Sequence, residues 1–220
     1  MEKIAVFFDV DGTLINGQSQ KLMISYFYRK KKVGILFLLK IYLWFLLYKL
    51  GIASKGTSLM KKGYQLVKEI KKEEFKNYIN DFFEKEIKPK IYPQAIERLN
   101  LHKKKGHEVI LVSKSCKFLI DIIKEYLKVS FSIATELEVK NGILTGKIKG
   151  KIIYGKERLK VIKELALKNQ WNLKKSYAYG DHISDLPLLQ AVGHPVVVNP
   201  DRKLKKEARR NNWEIYFWKL

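Results

Sequence analysis

Short apolar runs rich in β-branched and aromatic residues recur along the chain at positions 4–8 (IAVFF), 107–113 (HEVILVS), 131–135 (FSIAT), 176–180 (SYAYG), 195–199 (PVVVN) and 214–218 (EIYFW). Their length and their Gly, Asp, Ser or Asn boundaries predict strands. Helix-period stretches separate the later ones, as in PQAIERLNLHKKKG at 93–106 and ERLKVIKELALKNQ at 157–170. Strands alternating with helices of this length predict βαβ units: an α/β fold with a parallel sheet buried on both faces. Two stretches interrupt the rhythm. ELEVKNGILTGKIKG (136–150) alternates polar and apolar residues around Asn141-Gly142, the signature of a tight hairpin. Residues 16–90 show helical periodicity and no convincing strand. The expected organisation is therefore a core of residues 1–15 and 91–220 with a helical insertion at 16–90. Inserted just after the first strand, it would sit over the sheet's carboxyl edge, where ligands bind in open α/β folds.

Composition changes the picture in two respects. With 46% hydrophobic residues in 220, the chain has enough apolar matter for a core, which excludes a disordered protein. The 44 Lys and Arg against 22 Asp and Glu leave a net charge of +22. That balance predicts attraction to nucleic acid, anionic membrane or phosphorylated substrates, or else a merely lysine-rich solvated surface. The basic residues are spread along the whole chain without the aromatic-plus-basic strands of RNA-binding sheets, so no specific nucleic-acid partner is expected. Cys116 is the single cysteine, which excludes an internal disulfide and suits a reducing cytoplasm. Only Glu2 and Lys3 separate Met1 from the first strand, and no signal peptide is expected. His102, His107 and His194 lack metal-ligand spacing and are expected at surface or turn positions; His182 is expected in a loop.

Within the insertion, VGILFLLKIYLWFLLYKLGI (33–52) follows Arg29-Lys30-Lys31-Lys32. As one helix it would be about 30 Å long, enough to span a bilayer core. Lys40 near its middle would cost roughly 2.5 to 3.5 kcal/mol in a spanning helix, which disfavours that reading. Two readings remain: the stretch packs inside the insertion and against the core, or it rests with its basic flank (29–52 together) on an anionic membrane surface.

The chemistry begins at IAVFFDVDGTLING (4–17), where a strand runs into Asp9 and Asp11. Two carboxylates at one strand end repel, and persist with a cation between them or a proton on one. Hard oxygen donors of this kind suit Mg²⁺, which binds through a few carboxylates plus substrate phosphate. A carboxylate held beside a phosphoryl group can attack phosphorus, and its neighbour can protonate the leaving oxygen and later deprotonate water. Three more segments carry the complement. HEVILVSKSCKF puts Ser113 at a second strand end before a helix, YGKERLKV opens a helix with Lys156 and Arg158, and YAYGDHISDLPLLQ sets Asp181 at a strand end with Asp185 four residues on.

These four segments, in this order, resemble the four motifs of the haloacid dehalogenase superfamily of phosphohydrolases. The helical insertion after the first motif and the 136–150 hairpin make the chain most similar to the phosphoserine-phosphatase-like branch (subfamily IB). The resemblance covers nearly the whole chain and implies a Rossmann-like core with an all-helical C1-type cap. It implies Asp9 as nucleophile and Asp11 as acid/base. Mg²⁺ would be bound by Asp9 and Asp181 with the Asp11 carbonyl, and Asp185 would organise the metal's water shell or the third-motif cation. Ser113, with Lys114 beside it, would bind the phosphoryl oxygens. The cation of the third motif falls on Arg158 in register, with Lys156 as the substitute. An acid at position 11 favours phosphate esters over the superfamily's C–halogen or C–P substrates. The expected activity is an Mg²⁺-dependent phosphatase acting on a small soluble phosphomonoester, or, with a membrane-seated cap, on a lipid phosphate of lysophosphatidate or phosphatidylglycerophosphate type. Asn16 follows the first motif and no acidic cap residue matches a phosphoserine pocket, which argues against phosphoserine itself. A phosphotransferase shares these motifs, whereas a basic nucleic-acid-binding protein or a scaffold would need none of them.

Overall fold

The computed structural model describes residues 2–36, 39, 42, 43 and 56–220. Seven strands form one sheet in the order β4-β3-β2-β1-β5-β6-β7: β1 (Ala5–Asp9), β2 (Glu108–Cys116), β3 (Phe131–Lys140), β4 (Ile143–Lys149), β5 (Tyr177–Gly180), β6 (His194–Val198) and β7 (Glu214–Tyr216). All pairings are parallel except β3 with β4. Strand β1 is central, and its alternating side chains feed two cores. Val6 and Phe8 join one with Leu111, Ile120 and the insertion's Phe75 and Phe82; Ala5 and Phe7 join the other with Ile110, Ile162 and Leu204. This two-sided burial is why β1 reads as an unbroken apolar run.

Helices α4 (Pro93–Lys104), α5 (Lys117–Leu127), α6 (Gly155–Asn169), the short α7 (Leu186–Leu189) and α8 (Arg202–Arg210) complete the α/β core. The insertion supplies α1 (Ser19–Arg29), α2 (Gly56–Gly63) and α3 (Lys72–Phe82), the last continued by a π turn (Phe83–Ile87) and a 3₁₀ turn (Lys88–Lys90). It leaves and rejoins the core through neighbouring backbones: Asn16 N donates to Lys90 O at 2.8 Å and Tyr92 N to Leu14 O at 3.0 Å. A second attachment lies at the far edge of the sheet. Glu69 N donates to Leu144 O, Leu144 N to Ile70 O and Lys72 N to Gly142 O, all at 2.8–2.9 Å, so the insertion covers the free edge of β4.

Three details differ from the sequence reading. FSIAT and the first arm of the hairpin are one strand, β3, which turns into β4 at Asn141 (φ 49°) and Gly142 (φ 75°). Strand β2 does not stop at Ser113 but continues to Cys116 with a register shift against β3 between Val112 and Cys116. His102 is buried, not at the surface: its Nε2 lies 2.8 Å from the Tyr179 hydroxyl and its Nδ1 3.0 Å from His107 Nδ1. Most of the apolar stretch 33–52 lies outside the described residues. Of those described, Val33 is buried, whereas Ile35, Leu36, Leu39, Tyr42 and Leu43 are more than half exposed. Among the described residues no helix is long and apolar enough to cross a membrane.

Candidate active site

The carboxyl ends of β1, β2 and β5 lie side by side, with the chain passing to β2 on one flank of β1 and returning as β5 on the other, the geometry that opens a crevice in doubly wound sheets. Asp9 ends β1 and pairs in register with Val112, so Ser113 stands one residue beyond it on the next strand. Gly180 ends β5, and Asp181 follows.

Carboxylate oxygens of Asp9, Asp181 and Asp185 lie within 4.8 Å of one another. Arg158, 2% exposed on the first turn of α6, joins two of them: Nη2 is 3.0 Å from Asp9 Oδ1, and Nη1 donates to Asp185 Oδ1. Its Nε is buried without a partner among the described residues, so the guanidinium is anchored through its two terminal nitrogens. Asp185 is itself positioned by the backbone, its Oδ2 accepting from Asp181 N (3.2 Å) and His182 N (3.1 Å). Asp201 tethers the same loop by accepting from Ile183 N at 2.9 Å. Lys156, two residues before Arg158, is exposed on another face of α6, in an open groove with Leu159, Lys160 and Pro187. Of the two third-motif candidates, the fold brings only Arg158 to the acids.

Burial, and then repulsion from Asp185, push the Asp9 carboxyl well above the ordinary range, with Arg158 opposing. The same two causes push Asp181 up to about 8, with Lys114 opposing. Burial works against the Arg158 charge, but Asp185 and Asp9 outweigh it and the net shift is upward. One arginine does not neutralise this group of acids. A cluster of hard oxygen donors carrying surplus negative charge fits a small divalent cation.

Asp11 is buried and held at both oxygens: Oδ1 accepts from Ser19 N (2.8 Å), Oδ2 from Ser115 Oγ (3.3 Å), and the two serine hydroxyls lie 2.5 Å apart. Ser19 is the first residue of α1, so the second acid of the opening motif is tied to the insertion. Ser113 Oγ is buried and accepts from Ser115 N at 3.1 Å. Lys114, half-buried, reaches Gln18 Oε1 at 3.1 Å. Gly12 adopts φ +86°, and a Cβ there would fall 2.1 Å from Asp181 Oδ2, so the turn and the approach of the β5 acid both require glycine. His182 turns away, with Nδ1 3.0 Å from Ser184 Oγ and Nε2 3.5 Å from Asp201. Gln18, Ser19 and Ser115 are site residues that sequence reasoning did not single out. Ser115 carried a signal, its two-residue spacing from Ser113 on one strand; Gln18 and Ser19 carried none.

The molecule is thus an α/β protein whose mostly parallel sheet carries an acid cluster bridged by Arg158 at its carboxyl edge, with a helical insertion tied to that edge through Ser19 and Gln18. The chain belongs to the haloacid dehalogenase-like hydrolases, whose family model matches residues 6–190. It is 35% identical over 140 residues to "Probable phosphatase Rv3661" of Mycobacterium tuberculosis, covering 64% of this chain and 48% of that protein. The chain thus spans about half the length of the first curated relatives it matches. Phosphoserine phosphatase SerB1 of the same organism is 29% identical over 222 residues, covering 96% of this chain and 70% of that protein. Among solved structures, a Bordetella pertussis Tohama I protein of unknown function superposes with a TM-score of 0.89 at 23% identity, covering 98% of this chain and 99% of the other. A phospho-aspartyl intermediate analogue of phosphoserine phosphatase superposes with a TM-score of 0.70 at 21% identity, covering 99% and 94%. These two likenesses establish the α/β fold with its helical insertion, in the form seen in phosphoserine phosphatase.

Proposed function

We propose that the protein is an Mg²⁺-dependent phosphomonoesterase that works in the cytoplasm through an aspartyl-phosphate at Asp9, with residues 16–90 as its cap. The observation that carries this reading is the Asp9, Asp181, Asp185 cluster bridged by Arg158. Asp9 and Asp181, with Asp185 behind them, would hold the metal, which supplies charge stabilisation to the phosphoryl oxygens. Asp9 attacks phosphorus; the P–O bond to the alcohol breaks, and Asp11 gives its proton to the leaving oxygen. Asp11 then takes a proton from water as that water attacks the phosphorus of the aspartyl-phosphate, releasing inorganic phosphate and restoring Asp9. Ser113 donates its hydroxyl to a phosphoryl oxygen. Arg158 offsets the charge of Asp9 and Asp185, and its planar fork suits it to contacting both at once.

A small soluble phosphomonoester is the first substrate reading. The exposed Ile35, Leu36, Leu39, Tyr42 and Leu43 beside the Arg29–Lys32 run favour a second, in which the cap rests on an anionic bilayer and the substrate is a lipid phosphate. Phosphate release with Mg²⁺ is measured across soluble esters and across lipid phosphates in anionic vesicles, with Asp9→Asn as the blank. Asp9→Asn is expected to lose turnover while keeping its fold, and retained activity would sink the mechanism. Preference for vesicles moves the assignment to the lipid reading.

A further inference from the structure

We propose that Lys114 and Gln18 form a leaving-group subsite that selects phosphomonoesters bearing a second anionic group, a carboxylate or another phosphate, and that disfavours leaving groups bearing an ammonium. The inference rests on the phosphomonoesterase reading of the site. Two cations face the acid cluster, and they are used differently. Arg158 spends both terminal nitrogens on Asp9 and Asp185. Lys114 makes no ion pair within 4 Å among the described residues, and its Nζ contacts the neutral Gln18 Oε1 at 3.1 Å.

The position of Lys114 is set from both sides. Its carbonyl accepts from Thr135 Oγ1 at 2.8 Å, where β2 slips its register against β3. Its ammonium meets Gln18, the residue just before cap helix α1. Arg158 contacts Asp9 and Asp185 directly, whereas Lys114 reaches across to Gln18 on the insertion. In the proposed binding mode, an ester with phosphorus over Asp9 extends its alcohol portion toward Lys114 and Gln18.

With its oxygen turned to Lys114, Gln18 leaves its NH₂ for a ligand, and the ammonium keeps further N–H donors, so the pair offers donors only. On the insertion, the Tyr64 hydroxyl is buried without a hydrogen-bond partner among the described residues. The Lys114–Gln18 pair therefore suits an acceptor-rich anion and disfavours an ammonium.

Three esters of near-equal size test this: phosphoglycolate (anionic), 2-hydroxyethyl phosphate (neutral) and phosphoethanolamine (cationic), with ethylene glycol bisphosphate separating phosphate from carboxylate as the second anion. For the intact chain with Mg²⁺, kcat/KM for the anionic esters is expected to exceed the neutral one by about tenfold or more, the scale of one charge-assisted hydrogen bond. Lys114→Gln is expected to lower all rates but to collapse that ratio toward one, Lys114→Arg to restore part of it, and Gln18→Glu to shift preference toward phosphoethanolamine. Binding of the same esters to Asp9→Asn is measured by calorimetry, so that the subsite is read without turnover. Equal hydrolysis of all esters, or a ratio untouched by Lys114→Gln, overturns the subsite and leaves the phosphatase reading standing. Selective binding of the anionic esters with no hydrolysis upholds the subsite and overturns the phosphatase reading. Neither selective binding nor hydrolysis overturns both.

Discussion

Replacing Arg158 by methionine tests the electrostatic account of the site most directly. The side chain is 2% exposed and holds one contact each to Asp9 and Asp185, so the variant leaves two buried carboxylates without their cation. Breaking a buried pair by removing one partner costs about 3 to 5 kcal/mol. Protonation of the acids limits the loss, because Asp9 and Asp181 are already pushed upward and take up a proton more readily than ordinary carboxyls. The expectation is therefore the low end, about 3 kcal/mol, or a fall in Tm of about 6 to 12 °C for a chain of this size. Arg158→Lys keeps the charge but has one nitrogen for two separated contacts, and should lose roughly half as much. Urea unfolding in chelator and in Mg²⁺ measures this, with an unchanged m-value as the control for two-state comparison. Added Mg²⁺ should stabilise Arg158→Met more than the parent, since a cation relieves charge whereas it does nothing for lost packing. The exposed Lys156→Ala should change stability by less than about 0.5 kcal/mol. Equal losses of stability or phosphate release for Lys156→Ala and Arg158→Met would refute the assignment.

Gly12→Ala forces a Cβ to within 2.1 Å of Asp181 Oδ2 at φ +86°, so Asp181 must move; the Mg²⁺ concentration for half-maximal thermal stabilisation should rise about tenfold, and an unchanged titration would contradict the packing. Ser115→Ala frees Asp11 Oδ2 and should lower kcat about tenfold or more with little change in KM and a displaced pH–rate profile, whereas a rise in KM alone would mean that Ser115 binds substrate instead of positioning the acid. His102 has its pKa lowered from 6.5 to about 4, mainly by burial and then by the charge of His107, with Arg98 and Lys105 also opposing protonation. The unfolded chain therefore takes up this proton first as pH falls, and stability should drop by about 3 kcal/mol between pH 6.5 and 4 on account of this residue. Urea melts across that window should show the slope, and His102→Gln should flatten it; an identical slope would place the proton uptake elsewhere.

The parts of the molecule legible in sequence are those where local pattern and global fold agree. Strand β1 is buried on both sides, so its five apolar neighbours and the acids at its end could be read without partners; the same holds for β5 with Gly180 and Asp181. Arg158 was legible only as one of two candidates, because spacing along a helix names a face only once that helix is docked. Docking turns Arg158 inward and Lys156 outward. The continuation of β2 past Ser113 was hidden because a register shift is a property of the pair and leaves no mark on one strand. His102 shows the same limit: its burial depends on Tyr179 and His107, the former 77 residues away. Contacts between the insertion and the core were the least legible, since each joins distant segments. The backbone bonds of residues 69–72 to the β4 edge fasten the insertion at a second point, far along the chain from its entry at 15 and 91. Ser19 and Gln18 reach the site from this twice-fastened segment. They meet the core at two points, Asp11 through Ser19 and Lys114 through Gln18. Motif spacing specifies Asp9, Asp181 and Asp185, which sit on the sheet or on the loop that leaves it. The residues proposed to discriminate among leaving groups depend on how the insertion is seated, and for that reason the substrate is the property the sequence reveals last.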